Sequence, residues 1–325
     1  MSSRPKAIVV GLILAALVLG SCTTASLPAS PAAKPDSSNL TFPGHWEVVR
    51  QLDYGHLAKA DLKGEIGPAY LLYLVTLAGF HTETFGITVG PDDDVRYTTD
   101  SGQSWTKTAS ALHCRFGLEI VDEKIAWHCG NGGTRVSADG GQIWQTVAPS
   151  PCPYLSFLDA QIGWAASPYV LQVATNGGTS WRTLALPSDL KSIATIALRT
   201  DKDGYVLDTA GHLFVTADGG QSWQVSSLGL KPDERLIPST SGPKAVMRFV
   251  DAQHGIVVFD LADRSVWFAL TSDGGHSWQR AEITTLRDQS YYYQLYLTRD
   301  GRLLTVTDDF DGGANVSTVL RYEQP

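Results

Sequence analysis

The chain has 325 residues, of which 43% are hydrophobic and 10% aromatic, so it has enough apolar material for a large folded core. Its formal net charge of -8 argues against nucleic acid as a partner and against strong electrostatic attraction to anionic lipid. No segment shows sustained helical periodicity, which excludes an α-helical domain.

The first 22 residues have the layout of a secretory signal, with Arg4 and Lys6 before an apolar run over residues 7 to 19. That run is too short to cross a bilayer, which takes about 20 apolar residues. Its end, Leu19-Gly-Ser-Cys22, resembles the lipobox of bacterial lipoproteins, in which the cysteine is acylated and becomes the first mature residue. The resemblance implies an exported protein, lipidated at Cys22 and anchored to a membrane at the cell surface or in the periplasm. An ordinary signal peptide with an unmodified Cys22 is the alternative.

Residues 23 to 40 predict a disordered tether, because they are rich in Pro, Ala and Ser and offer almost nothing to bury. Residues 41 to 325 then form the folded domain. Its 285 residues approach the upper size limit of a single continuous core, so internal repeats are the expected explanation.

Five segments of eight residues, close to the form Ser/Thr-x-Asp-x-Gly-x-Ser-Trp, recur along this domain, and we call them the box turns. They are Thr98-Thr-Asp-Ser-Gly-Gln-Ser-Trp105, Ser137-Ala-Asp-Gly-Gly-Gln-Ile-Trp144, Ala174-Thr-Asn-Gly-Gly-Thr-Ser-Trp181, Thr216-Ala-Asp-Gly-Gly-Gln-Ser-Trp223 and Thr271-Ser-Asp-Gly-Gly-His-Ser-Trp278. Their tryptophans are 39, 37, 42 and 55 residues apart, which is close to the length of one propeller blade.

Each residue type in a box turn has its own physical task. Asp and the hydroxyl residue hydrogen-bond turn amides, Gly supplies a positive φ, and Trp opens the next strand and packs its ring. Asn176 replaces the Asp in the third copy, and Ile143 replaces the Ser in the second, so the second turn is expected to be looser. We interpret the following box residues as structural rather than catalytic: Asp100, Trp105, Asp139, Trp144, Asn176, Trp181, Asp218, Trp223, Asp273 and Trp278.

A second motif precedes several box turns by about twenty residues and consists of a polar turn between two apolar strands. Its copies are Phe157-Leu-Asp-Ala-Gln-Ile-Gly-Trp164, Phe249-Val-Asp-Ala-Gln-His-Gly-Ile256 and the degenerate Ile120-Val-Asp-Glu-Lys-Ile-Ala-Trp127. Each repeat therefore predicts four strands. Their recurrence predicts an all-β fold, the β-propeller.

The five box tryptophans account for five blades, and three apolar strands remain after Trp278. The missing fourth strand is predicted at residues 45 to 49, where His45-Trp46-Glu-Val resembles Ser222-Trp-Gln-Val225. Pairing of this strand with the last blade would close the ring and remove its free edges. We predict six blades of four antiparallel strands, with seven as the alternative if residues 54 to 78 contain another.

The box turns resemble the BNR or Asp-box repeat of sialidases, sortilin-type receptors, xyloglucanases and the photosystem II assembly and stability factor family. Together with the second motif and the lipobox, the chain is most similar to the last of these families. The resemblance implies that the box turns lie on outer hairpins away from the working face. It also implies a non-enzymatic, surface-tethered binding or assembly-factor module that acts on a protein partner at or near a membrane.

The enzymatic interpretation is a carbohydrate-active propeller, either a glycoside hydrolase or a glycan-binding protein. A sialidase is disfavoured, because the family's Arg-Ile-Pro motif ahead of the first box is missing, and Arg235-Leu-Ile-Pro238 lies after the fourth. Another glycoside hydrolase would need two carboxylates about 5 to 10 Å apart across a cleft. No catalytic residue, cofactor or metal ligand set is assigned, and catalysis stays open.

Candidate binding residues come from loops expected on the face away from the box turns. They are Asp92, Asp93, Asp263, Arg264, Arg287, Tyr291, Asp308 and Asp309. Solvated turn residues are the plain alternative for the acidic ones, and core packing is the alternative for the tyrosine-rich run that begins at Tyr291.

Three cysteines follow Cys22, namely Cys114, Cys129 and Cys152. Outside the cytoplasm two of them are expected to form a disulfide and to leave one odd thiol. Spacing does not choose the pair.

Overall fold

The structure, a computed structural model, describes residues 44–53, 77–89, 94–112, 117–130, 133–149, 154–236, 245–263, 265–286, 293–308 and 316–323. These residues form 24 strands in six antiparallel sheets of four strands each. Each sheet is one blade of a β-propeller, so the predicted all-β, six-bladed fold is confirmed.

The blades follow the chain in order. Blade 1 contains β2 (Leu77–Phe80), β3 (Gly86–Val89), β4 (Asp94–Thr98) and β5 (Thr106–Ala111); blade 2 contains β6 (Gly117–Ile120), β7 (Ala126–Gly130), β8 (Gly133–Ser137) and β9 (Gln145–Thr146). Blade 3 contains β10 (Tyr154–Phe157), β11 (Gly163–Ser167), β12 (Val170–Ala174) and β13 (Arg182–Thr183); blade 4 contains β14 (Ile193–Leu198), β15 (Gly204–Asp208), β16 (His212–Thr216) and β17 (Gln224–Ser227). Blade 5 contains β18 (Ala245–Phe249), β19 (Gly255–Asp260), β20 (Val266–Thr271) and β21 (Gln279–Glu282); blade 6 contains β22 (Tyr293–Leu297), β23 (Leu303–Asp308), β24 (Val316–Glu323) and β1 (His45–Asp53).

Blade 6 is closed by the first and last strands of the folded chain. β1 pairs antiparallel with β24 through eight residue pairs, from His45 opposite Glu323 to Asp53 opposite Val316. Trp46 is buried in this sheet, where its ring makes edge contacts with one ring of blade 5 and one of blade 6. The predicted closure by the N-terminal strand is confirmed, and the described strands make six blades rather than seven.

The first strand of every blade lines the centre of the ring, because these six strands contact one another in a closed circle. Antiparallel order places the turns between first and second strands on the same side of the disc as the box turns, and we call this side the box face. The ends of the second and fourth strands lie on the other side, which we call the opposite face. Each gap in the described part of the ring separates two strand ends on the opposite face.

Apolar layers between neighbouring blades form the core. Trp127 of blade 2 stacks on Phe157 of blade 3 with ring centroids 3.8 Å apart, and Tyr205 of blade 4 stacks on Phe249 of blade 5 at 3.5 Å. Every residue of β19 is buried, because neighbouring blades cover both sides of the sheet. This explains why the inner strands are continuous apolar runs rather than alternating ones.

Cys129 lies fully buried on β7 and is disulfide-bonded, while its partner lies outside the described residues. The choice between Cys114 and Cys152 therefore remains open. The described ranges contain no helix that is long and apolar enough to span a bilayer.

Candidate binding face and central channel

Each box turn is held by hydrogen bonds between its own side chains and its own backbone. In the fourth copy, Asp218 Oδ1 accepts the N–H of Ser222 at 2.9 Å, and Oδ2 accepts the Ser222 hydroxyl at 2.6 Å. Thr216 Oγ1 donates to Asp218 at 2.8 Å and accepts the N–H of Gly220 at 2.9 Å. The bonds to the Ser222 hydroxyl and amide lower the pKa of Asp218 to about 2. The carboxylate is therefore fully engaged within its turn.

The first and fifth copies repeat this set, and hydrogen bonds led by the serine hydroxyl lower the pKa of Asp100 and of Asp273 to about 2 as well. In the second copy, the Ile143 amide still donates to Asp139 at 2.9 Å, but this residue brings no hydroxyl to the second carboxylate oxygen. The Ile143 side chain is 64% exposed. This turn keeps its backbone bonds and loses one side-chain bond.

The third copy departs from the pattern at two positions. Asn176 keeps the turn, because its Oδ1 accepts the N–H of Ser180 at 3.2 Å. Ala174 stands where Thr216 stands in the fourth copy, so the hydroxyl that accepts the glycine N–H is missing. The sequence analysis did not include this second substitution, although Ala174 occupies the first position of the third box turn.

The second motif forms the inner hairpin of its blade, between the first and second strands. Asp159 Oδ1 accepts the N–H groups of Gln161 and Ile162 at 2.6 and 2.8 Å, and Asp122 and Asp251 bond their own hairpins in the same way. In all five boxed blades a box-turn amide also donates to a carbonyl of this hairpin, at 2.8 to 3.0 Å. The box turns are thus bonded to the inner hairpins of their own blades.

Beneath the box face, the channel is crossed by a buried ion pair. Glu119 on β6 of blade 2 accepts a hydrogen bond of 2.6 Å from Arg248 on β18 of blade 5, and these blades stand opposite each other in the ring. Arg248 also donates to the carbonyls of Leu297 and Met247 at 3.2 and 3.3 Å. The Glu119 side chain is only 3% exposed. Burial raises the pKa of Glu119, and the positive charge of Arg248 opposes that shift.

A second crossing joins blade 6 to blade 3. Arg299 donates to the carbonyls of Phe157 and Leu158 at 2.9 and 3.0 Å. Tyr296, from the first strand of blade 6, accepts the N–H of Ile120 at 2.9 Å, and burial raises the pKa of this phenol. These contacts, with the ion pair, cross the channel near the box face. We call this set of residues the channel floor.

The channel keeps a small cavity above its floor, with a volume of about 30 Å³. Polar Tyr154 and Thr195 line it together with aliphatic side chains of five first strands, which are Leu118, Leu155, Ile196, Val246 and Leu295. Glu119, Arg248 and Tyr296 also line it. The cavity lies among the first strands, on the side of the channel floor toward the opposite face, and we call it the channel well.

Around the well, the opposite face carries one large exposed aromatic side chain. Tyr169, in the two-residue turn between β11 and β12, is 72% exposed, the highest value among the large apolar side chains that the structure describes. The turn is fixed to the next blade, because the N–H of Ile193 donates to the Pro168 carbonyl at 2.8 Å. Tyr169 is therefore presented on a rigid support.

A strap over residues 228–236 crosses this face from blade 4 to blade 5. Its buried Leu236 bridges to Leu261, and Glu234 forms an ion pair of 2.7 Å with Arg280 on β21. Burial opposes ionisation of Glu234, but the hydrogen bonds from Arg280 and the Lys231 amide prevail and lower its pKa. The strap is thus a fixed part of the surface.

Of the predicted binding residues, Asp263 is fully described and lies on the opposite face. Its Oδ1 accepts the N–H of Ser265 at 3.0 Å and the hydroxyl of the same residue, and these bonds lower the pKa of Asp263. Asp308 ends β23 on the same face. The remaining predicted residues lie outside the described residues: Asp92, Asp93, Arg264, Arg287, Tyr291, Asp309 and the lipidation residue Cys22.

Within the described ranges, no group of three or more His, Cys, Asp or Glu side chains could hold a metal ion. Glu119 is the one carboxylate that lines the channel well in the described part of the chain, and it already bonds Arg248. The described channel therefore does not present the two carboxylates that glycoside hydrolysis requires.

The fold defines the chain as a six-bladed β-propeller, and solved structures of similar fold are known. No family model and no curated protein matches the sequence. A solved structure described as YCF48 bound to D1 peptide is similar over 78% of each chain, with a TM-score of 0.51 and 14% identity. At that identity the similarity concerns the fold alone.

Two further structures are similar at lower TM-scores. YCF48 from Cyanidioschyzon merolae has a TM-score of 0.44 and 16% identity over 86% of this chain and 99% of its own. An ancestral GH74 enzyme has a TM-score of 0.46 and 15% identity over 77% of this chain, but over only 38% of its own length.

Proposed function

We propose that this protein is a non-enzymatic binding module that is tethered to a membrane and presents its opposite face to a protein partner. The observation that carries the proposal is Tyr169, a large aromatic side chain that is mostly exposed on a rigid two-residue turn of that face. Tyrosine is one of the residues that contribute most to protein interfaces. Polar strap residues on the same face would supply part of the rim that such interfaces have.

The box face is less suited to this role, because its carboxylates and turn amides are bonded within and between their own hairpins. YCF48, a propeller of similar fold, has been solved with a D1 peptide, which is an example of peptide binding by such a fold. The assembly or maintenance of a membrane-associated complex is the biological role that we propose for this chain.

Photo-crosslinking in cells tests the proposal. A photoreactive residue in place of Tyr169 should trap a discrete protein partner, whereas the same residue in place of Val225, exposed on the outer strand β17, should not. Identical crosslinks from both positions would contradict the assigned face. Hydrolysis of chromogenic glycosides at enzyme-like rates by the purified protein would instead favour the carbohydrate-active alternative.

Membrane attachment is a separate part of the proposal and rests on the lipobox that ends at Cys22. Mass spectrometry of the mature N-terminus should find an acylated Cys22. An unmodified N-terminus at another residue would remove the lipid anchor from the proposal and leave the binding face unaffected.

A further inference from the structure

We propose that a surface cleft at the second box turn receives a lysine side chain of a protein partner. The cleft has a volume of about 140 Å³ and is lined by Val136, Ala138, Asp139, Ile143 and Gln145. It belongs to the box face, so the inference goes beyond the binding face proposed around Tyr169. It follows from a carboxylate oxygen that the described part of the chain leaves unbonded and from an exposed aliphatic side chain beside it.

The unbonded acceptor is Oδ2 of Asp139. Oδ1 of this residue accepts the N–H groups of Gln142 and Ile143 at 3.0 and 2.9 Å. It also accepts the hydroxyl of Ser137 at 2.8 Å. Oδ2 accepts no hydrogen bond from any residue in the described ranges. In the first, fourth and fifth box turns a serine hydroxyl donates to the equivalent oxygen at 2.6 Å, so the isoleucine of the second copy leaves this acceptor open at the surface.

The fourth box turn serves as a reference for this cleft within the same molecule. The residues at the equivalent positions there are Val215, Ala217, Asp218, Ser222 and Gln224, so the two sets differ only by serine in place of isoleucine. The Ser222 hydroxyl donates to Asp218, which closes that carboxylate within its own turn. One residue therefore separates the open carboxylate of the second copy from the closed carboxylate of the fourth.

Ile143 supplies an apolar wall. Its side chain is 64% exposed, although the other four box turns carry Ser at this position. Val136 and Gln145, which stand opposite each other in β8 and β9, line the same cleft. An aliphatic stem can lie along such a wall while its charged end stays in contact with water. At about 30 Å³ for one water-sized group, the cleft holds about five such groups, which matches the four carbons and one nitrogen of a lysine side chain.

Charge and geometry select an ammonium group. Among the described residues that line the cleft, Asp139 alone is charged, and it forms no ion pair within the described ranges. A cation complements it, and the net charge of -8 favours a basic partner. A guanidinium binds best to two carboxylate oxygens, whereas an ammonium acts as a point charge and needs only one. Oδ1 already has three donors, so Oδ2 is left to accept alone.

Methyl NMR on the full-length protein tests the chemistry with three amino acids, each N-acetylated and blocked as the methylamide: lysine, norleucine and arginine. The lysine compound should shift the Val136 methyl signals saturably and bind about 5-fold more tightly than the uncharged norleucine compound, which is the upper range for an exposed ion pair. The arginine compound should bind about 2-fold more weakly than the lysine compound. Equal binding of norleucine would overturn the ionic contact, and equal or tighter binding of arginine would overturn the assignment to lysine.

Two single substitutions exchange the second and fourth copies and test the location. Ile143→Ser restores the residue of the other copies, so its hydroxyl should bond Asp139 and weaken binding of the lysine compound by about 5-fold. Ser222→Ile should open Asp218, so that the Val215 methyl signals begin to respond to the lysine compound. Unchanged binding to folded Ile143→Ser would overturn the location. A folded Ser222→Ile variant without any response would overturn the assignment of the site to this one residue.

A carbodiimide tests for the partner in cells, because it joins a carboxylate to a lysine amine that is in contact with it. Mass spectrometry should find Asp139 joined to a lysine of another protein. Ile143→Ser should remove this pair and leave the crosslinks of other carboxylates unchanged. Absence of the pair from the parent protein would overturn the protein partner. This result is separable from the photo-crosslink at Tyr169, because the two positions lie on different faces and either contact can fail alone.

Discussion

The box face and the opposite face of this propeller differ in what their polar groups do. On the box face, all five box turns donate a backbone N–H to their inner hairpins in the same way, while the second copy departs from the pattern at Ile143 and the third at Ala174 and Asn176. On the opposite face, the described connections range from the tight turn at Tyr169 to the strap over residues 228–236. The repeated hydrogen bonds of the box face therefore serve stability. Connections that vary from blade to blade, as on the opposite face, are where recognition can develop. Substitutions on the box face should alter stability, and substitutions on the opposite face should alter binding.

The largest expected effect on stability comes from breaking the ion pair of the channel floor. Glu119→Leu leaves the Arg248 guanidinium buried without its partner and should lower the free energy of unfolding by about 3 kcal/mol, as measured by urea denaturation. The double variant Glu119→Leu with Arg248→Met should recover part of that loss, because Arg248 is then no longer a buried cation without its partner. A double variant that is less stable than the single one would show that Arg248 stabilises the ring even without Glu119, through its bonds to the carbonyls of Leu297 and Met247.

The next effect concerns the hydroxyl of a complete box turn. Thr216→Val removes the acceptor for the buried N–H of Gly220 and should cost about 1 to 3 kcal/mol in the free energy of unfolding. Thr175→Val, an exposed position in the third box turn, is the matched control and should be nearly neutral. Equal losses from the two variants would mean that the replacement of a hydroxyl by a methyl group, not the lost bond to Gly220, sets the cost.

A stabilising change is expected in the first box turn. Ser101 has a positive φ of 67°, at a position where the other four copies have Gly. Ser101→Gly should therefore raise the free energy of unfolding by about 0.5 to 1 kcal/mol, because a left-handed backbone strains a residue with a Cβ. The same substitution at Ser104, whose side chain bonds Asp100, should destabilise the protein.

Acid should weaken the box face in a defined pH window. The folded pKa of Asp100, Asp218 and Asp273 is about 2, below the ordinary value of 3.8, so their stabilising contribution is present above pH 4 and is lost as the pH falls from about 4 to about 2. Ser222→Ala should move the pKa of Asp218 upward, which carboxylate NMR titration would detect. An unchanged pKa in that variant would assign the shift to the backbone amides.

The smallest effect on stability is expected on the opposite face. Tyr169→Ala should change the free energy of unfolding by less than about 0.5 kcal/mol, because the side chain is mostly exposed. It should nevertheless weaken binding of the partner trapped by crosslinking by about 10-fold or more, measured as Kd with the purified partner. Val225→Ala is the matched exposed control and should change neither quantity.

The fold could be predicted from the sequence because the residue types of each box turn specify the structure of that turn. Asp, Gly and Trp at fixed spacing specify a turn, and five copies specify the blades. The strand ahead of Asp53 was assigned to blade 6 by elimination, and its register with β24 bears that out. The box tryptophans precede the fourth strands by one residue rather than opening them, as with Trp105 ahead of β5.

The channel floor could not be predicted, because its partners are far apart in the chain. Glu119 and Arg248 are separated by 129 residues, and the sequence does not say which blades stand opposite each other until their number is known. A signal was nevertheless present, since each is a single charge within an otherwise apolar inner strand. The sequence signal for Tyr169 was weaker still, because the exposure of one aromatic residue depends on how its turn packs against the neighbouring blade.

The closure of blade 6 has a mechanical consequence. β1 begins on the box face and ends on the opposite face, so a pull on the chain ahead of His45, away from the opposite face, acts along the strand. The eight pairs between β1 and β24 then resist in shear, all at once, instead of opening one after another from an end. If the tether is anchored and a partner grips the opposite face, the strand that closes the ring is also the one that bears the load.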